Sequence, residues 1–235
     1  MRTSAMSCEL MVPLNFVTDA EAFQFLNKIG DGVEWVCVTN QLFFPYGIGL
    51  LRALCNLGYK IFLDIRLSDT PLGMASSLLS LRDQAIDLIS VQLIQGLPAL
   101  KFSQLALKQA LPDAQLVAST ILYHLHRNDT LHQNFTDLSK RLIQYYFRLA
   151  LAAKIYYVLC TACEFPYLLK QFGTNFTYII YGSDVNGTHA PYPFFNLAKM
   201  GAKILMLGEK CLTHANPREY IAHVRREITP AFANL

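Results

Sequence analysis

Lys60-Ile61-Phe62-Leu63-Asp64-Ile65-Arg66-Leu67-Ser68-Asp69-Thr70-Pro71 is the stretch on which the fold turns. Its first part, Lys60–Leu67, is apolar at most positions and predicts a buried strand. Pro71 stands where a first helical turn tolerates a missing N–H, so a helix over Pro71–Leu81 follows almost at once. The same strand-then-helix unit recurs on both sides. Further strands are expected at Met11–Phe16, Glu34–Thr39, Leu88–Ile94, Leu116–Leu122, Lys154–Cys160, Tyr178–Gly182 and Ala202–Gly208. They are apolar on both faces of the alternation, as parallel strands covered on both sides are.

The intervening segments carry helix signals. Thr18-Asp19-Ala20-Glu21 spells a capping box ahead of Phe23, Phe25, Leu26 and Ile29, and Gly30 is a stop. Helices are also expected over Gly47–Leu57, Leu97–Leu111, Thr136–Ala153, Phe165–Phe172, Phe194–Met200 and Pro217–Ile228. Eight strands alternating with eight helices predict an α/β fold, a (β/α)8 TIM barrel forming a single domain over residues 1–235. An open doubly wound sheet is the alternative, but no Gly-rich phosphate fingerprint follows the first strand.

Composition agrees with a packed domain. Hydrophobic residues make up 53% of the 235 positions and charged ones 16%, which excludes disorder. Lys and Arg number 20 against 17 Asp and Glu, with no basic run, so a nucleic-acid surface is not expected. No uninterrupted apolar span approaches the ~18 residues a membrane helix needs, so no membrane partner is expected either. Glu9 and Pro13 interrupt any signal-type apolar core near the start. Six scattered cysteines, mostly in apolar runs, suit reduced, buried thiols. Together these features predict a soluble, cytoplasmic protein.

In a barrel, chemistry belongs to the residues that end each strand and to the loops after them. Those ends hold Asn15, Cys37 with Thr39, Asp64 with Arg66 and Asp69, Gln92, Thr120 with His124, Cys160 with Cys163, Asp184, and Glu209 with Lys210. Asp64 and Arg66 lie two apart, hence on one face of a strand, and Asp69 follows in the turn. Two carboxylates flanking a cation form either a preorganised charge network or a structural ion pair at the rim. Cys160-Thr161-Ala162-Cys163 spells Cys-x-x-Cys, but no second ligand pair at zinc spacing accompanies it, so two small buried thiols at a strand end are expected. His124, His126, Asp129 and His132 fall in the polar stretch Tyr123–Lys140 and read as surface loop residues. Arg225-Arg226 reads as a solvated cap on the last helix.

The segment Ile61–Pro71 resembles the signature of orotidine 5′-phosphate decarboxylases, Asp-x-Lys-x-x-Asp followed by Ile-Pro at the end of the third strand. Val12-Pro13-Leu14-Asn15-Phe16 is similar to the family's first strand, Trp35 to Phe43 to its second, and Leu207-Gly208-Glu209 to its last. The resemblance covers about residues 11–228. It implies a lyase of pyrimidine biosynthesis that needs no metal or organic cofactor. It also implies a homodimer with active sites at the interface, where the last Asp of the signature, Asp69, reaches into the partner's site. It places Asp64, Arg66, Asp69 and Cys37 in the catalytic set, and Asn15, Thr120, His124, Asp184, Glu209 and Lys210 around a pyrimidine nucleotide or another small molecule.

At these positions the chain departs from the family pattern. Asn15 stands where the family binds ribose with Asp, and Cys37 where it has a second Lys. Arg66 replaces the Lys that protonates the carbanion, and guanidinium is a poor proton donor. Glu209 replaces the phosphate-binding Arg, turning attraction into repulsion. With Cys37 in place of a cation, one of the two carboxylates is expected to hold a proton. These departures predict a pseudoenzyme whose decarboxylation is lost or much reduced. The alternatives are a working metal-free decarboxylase that uses Arg66 and Lys210, a Mg²⁺-dependent sugar-phosphate enzyme of the same superfamily, and a non-catalytic scaffold or regulatory protein.

Overall fold

The computed structural model describes residues 8–119, 137–183 and 192–232. Eight strands run β1 Glu9–Pro13, β2 Trp35–Thr39, β3 Lys60–Leu67, β4 Leu88–Gln92, β5 Gln115–Ser119, β6 Tyr157–Thr161, β7 Thr177–Ser183 and β8 Ile204–Leu207. Each pairs in parallel with the next, and β8 returns to β1, so the sheet closes in sequence order. The fold is a (β/α)8 TIM barrel.

The helices are α1 Asp19–Ile29, α2 Asn40–Asn56, α3 Pro71–Ser80, α4 Gly96–Ala110, α5 Asp137–Ala152, α6 Phe165–Phe172, α7 Phe194–Lys199, α8 Glu209–Thr213 and α9 Pro217–Ile228. Thr18 caps α1 with the expected box: its side chain accepts from Glu21 N at 3.2 Å, and Glu21 Oε2 accepts from Thr18 N at 3.1 Å. Two helical segments differ from the sequence reading. Helix α2 starts at Asn40 rather than Gly47, its two halves meeting at a break where Gly47 takes φ 57°. The short α8 after β8 was not expected at all.

Alternation along the strands sorts the apolar side chains into two compartments. Met11, Trp35, Cys37, Phe62, Leu88, Val117, Leu159, Ile179, Ile204 and Met206 fill the barrel interior. The opposite strand faces, among them Leu10, Val36, Leu63, Ile89 and Leu116, pack with the inner faces of the helices. Burial on both faces explains why the strands read as continuous apolar runs.

At the N-terminal end of the barrel, charged groups are paired. Trp35 Nε1 donates to Glu9 Oε2 at 2.7 Å, and Lys60 Nζ lies 2.6 Å from Glu9 Oε1 and 5.0 Å from the indole centroid. Arg225 reaches from α9 to Glu34 Oε1 at 2.6 Å and to Gly32 O at 3.1 Å, so it is a structural link rather than the solvated cap its position suggested. No helix among the described residues is long and apolar enough to cross a membrane.

Candidate functional site

The C-terminal ends of β3 to β6 carry a polar layer directly above the apolar filling of the barrel. Two residues on from Phe62, Leu88, Val117 and Leu159, and hence on the same strand faces, come Asp64, Ser90, Ser119 and Thr161. All four are buried. In this fold that end of the barrel is where active sites are built.

Asp64 and Arg66 meet here. Arg66 Nε lies 3.6 Å from Asp64 Oδ2; the carboxylate side chain is 2% exposed and the arginine side chain 39%. The strand is not regular between them. Arg66 takes φ 50°, and the β3–β4 register shifts between Leu63 and Leu67. A bulge of this kind re-aims a side chain at a barrel rim. Left-handed backbone costs a branched or long residue on the order of 1–2 kcal/mol, and here a neighbour holds it: Arg66 N donates to Ser90 Oγ at 2.7 Å.

Burial pushes the Asp64 carboxyl above the usual carboxylate range, while hydrogen bonding to Ser90 and the nearby Arg66 charge pull the other way. Desolvation, not the loss of a cation at Cys37, is the main cause of that upward shift. Cys37, on the neighbouring strand, is pushed well above the ordinary thiol range by burial and by the Asp64 charge, with Arg66 opposing. It is therefore a neutral thiol at physiological pH. Asp64 Oδ1 and Ser119 Oγ are buried without a hydrogen-bond partner among the described residues. Both belong to the buried polar layer, and a ligand entering it could satisfy them.

The other expected site residues scatter. Asp69 is exposed at the start of α3, where its Oδ1 accepts from Thr70 N at 2.6 Å. Asn15, Glu209 and Lys210 are also exposed, the last two in the first turn of α8. Thr120, His124 and Asp184 lie outside the described residues, as do His126, Asp129 and His132. Cys160 is buried as expected, but Cys163 is exposed because it lies past the end of β6 at Thr161; both are free thiols that burial raises. Among the described residues no cluster of His, Cys, Asp and Glu has the makings of a metal site.

Sequence reasoning missed Ser90, Ser119 and Glu164. Glu164 is 3% exposed, and its Oε2 accepts from Thr161 N at 2.8 Å while Thr161 Oγ1 accepts from Glu164 N at 3.2 Å. The Thr-x-x-Glu spelling at Thr161–Glu164 was the available signal for that pair. The serines offered none, because only the closed barrel shows which strand face is interior.

A closed (β/α)8 barrel with a buried carboxylate facing a partly exposed guanidinium at its C-terminal rim is thus the class of protein that the fold and the site define. Within that class the chain resembles orotidine 5′-phosphate decarboxylases over nearly its full length. It is 21% identical over 234 residues to the orotidine 5′-phosphate decarboxylase of Buchnera aphidicola, covering 97% of this chain and 99% of that protein. The enzyme of the same name from Prochlorococcus marinus is 28% identical over 238 residues, covering 94% and 95%. Among solved structures, orotidine 5′-phosphate decarboxylase from Lactobacillus acidophilus superposes with a TM-score of 0.81 at 22% identity, covering 95% of this chain and all of that one. An uncharacterized conserved protein from Geobacillus kaustophilus gives 0.76 at 20% identity, over 93% and 99%. No family model matches the chain.

Proposed function

We propose that this protein is an orotidine 5′-phosphate decarboxylase-like barrel, one domain over residues 1–235, that has lost most or all of the decarboxylation of orotidine monophosphate to UMP. The observation that carries this reading is the pairing of buried Asp64 with an arginine at 3.6 Å. Replacing a carboxylate by hydrogen on the pyrimidine ring requires a group that gives its proton to the carbanion left by CO2. Guanidinium stabilises such a carbanion by its charge but keeps its own proton. The buried thiol of Cys37 adds no positive charge nearby. Glu209, exposed at the start of α8, sets a carboxylate where the resemblance places a phosphate-binding Arg.

The same reading places the protein in the cytoplasm as a homodimer, with Asp69 extending toward a partner's site. Binding of UMP tests the ligand side of the proposal by calorimetry. The wild type is expected to bind it with a Kd weaker than about 1 mM, and Glu209→Arg to tighten it by roughly tenfold or more. Micromolar binding by the wild type contradicts the reading.

One observation favours a second reading, in which the site is active. The Asp64 carboxyl lies 3.6 Å from a fixed cation and burial raises it above the usual carboxylate range, so on this second reading Asp64 supplies the proton that Arg66 keeps. On this reading orotidine monophosphate is turned over, the rate falls as pH rises, and Asp64→Asn abolishes it.

A further inference from the structure

A cavity of about 600 Å³ opens on the flank of the barrel, between α2, the end of β3 and α3. Its origin is the break in α2. Leu42 before the break and Leu50, Leu51 and Leu54 after it are all buried, so both halves of the helix are anchored while Gly47, at φ 57°, turns the chain between them. The residues nearest the break, Phe43, Phe44 and Ile48, form one wall, and Ile65 of β3 contributes to the lining. A volume of this size is in the ordinary range for small-molecule pockets, roughly 300–1,000 Å³.

Three features specify what would fit. Two phenyl rings and two isoleucines favour a flat, apolar body. Arg66 is the only charged residue among the described residues that line the cavity, which favours an anion. Asn40 supplies the third feature. Its Nδ2 donates to Ile65 O at 3.4 Å, which orients the amide, and its Oδ1 is buried with no hydrogen-bond partner among the described residues. An N–H or O–H on the ligand would satisfy that oxygen.

We propose that this lateral cavity binds an aromatic anion, a carboxylate or sulfonate carrying one hydrogen-bond donor, and that its charge is met by the same Arg66 guanidinium that faces Asp64 at the barrel mouth. Occupancy of the flank then competes with Asp64 for Arg66, linking the two sites through one side chain. The inference stands independently of whether the barrel mouth retains any decarboxylation.

Anilinonaphthalene sulfonate has two aromatic systems, a bridging N–H and a sulfonate, and its fluorescence rises on entering apolar surroundings. Titrated into the full-length protein it is expected to show saturable binding at one site per chain. Ser77→Trp, which projects a ring from the α3 wall, is expected to weaken it by roughly tenfold or more. Phe44→Ser changes a side chain that is 77% exposed, leaves folding intact, and is expected to weaken binding by roughly fivefold. Arg66→Gln is expected to cost roughly tenfold and to remove the salt dependence. Lys108→Ala, exposed on α4 and away from the cavity, is expected to bind as the wild type does. The proposal is overturned if the wild type shows no saturable binding, including in a dimer that covers this face. It is overturned equally if Phe44→Ser binds like the wild type, or if Lys108→Ala weakens the dye as much as Arg66→Gln does.

Discussion

At Asp64, burial outweighs two interactions that favour the charged carboxylate, the hydrogen bond with Ser90 and the charge of Arg66. The folded protein therefore holds this proton more tightly than the unfolded chain, whose carboxyl titrates near 3.8. By linkage, Asp64 costs no stability below that pH and costs progressively more as pH rises through and above it. Asp64→Asn keeps the shape and removes the charge, so it is expected to raise Tm by a few degrees at neutral pH. That advantage should shrink toward zero as the solution is taken below pH 3.8, as calorimetry at a series of pH values would read directly. The thiols obey the same logic of burial. Cys8, Cys37, Cys160 and Cys211 are buried, and only Cys55 and Cys163 are exposed. Iodoacetamide on the native protein, read by mass spectrometry, is expected to label Cys55 and Cys163 and to spare the rest. Asp64 and Arg66 stood out in the sequence because two opposite charges at strand spacing inside an apolar run are uncommon. Ser90 carries no such pattern, and its role in holding the left-handed Arg66 follows only from the register of β3 against β4.

Among the elements, α1 and α2 show what local chemistry does and does not reveal. The box at Thr18 and Glu21 was legible because both halves of the reciprocal bond lie within four residues of sequence. Thr18→Ala is expected to cost about 1 kcal/mol, measurable as a shift of the denaturant midpoint at constant slope. The first half of α2 was not legible, since Pro45 and Gly47 both read as breakers. The buried Leu42 anchors that half by tertiary packing, which overrides the local signal. Gly47 has no neighbour that a methyl group would strike, so Gly47→Ala isolates the backbone effect of φ 57°. It is expected to destabilise by about 1–2 kcal/mol. Helix α8 escaped notice for the opposite reason: five residues are too few to show a helical period.

Taken whole, the barrel divides its labour between its two ends. The C-terminal rim gathers Asp64, Arg66 and buried serines, while the N-terminal end ties charges into pairs that close the structure. Glu34 receives Leu10 N at 2.9 Å as well as Arg225, and Arg225 also meets Gly32 O, 193 positions away in sequence. Contacts at such separation leave no local trace, which is why alternation revealed the order of the strands but not what holds the closure. Glu34→Ala removes both partners at once. Both charged side chains are about a third exposed, so the expected loss is about 1–2 kcal/mol. The proposed loss of chemistry is compatible with an intact fold, because stability resides in the layers of the barrel and at its lower end while activity depends on a few groups at its rim.

The central claim, that the inherited reaction has been lost or much reduced, is tested most directly by conversion of orotidine monophosphate to UMP by the purified protein, alongside an Arg66→Ala variant prepared in the same way. The account predicts no UMP above that of the variant. UMP formation by the wild type that disappears in Arg66→Ala would contradict it and make Arg66 part of a rewired, working site.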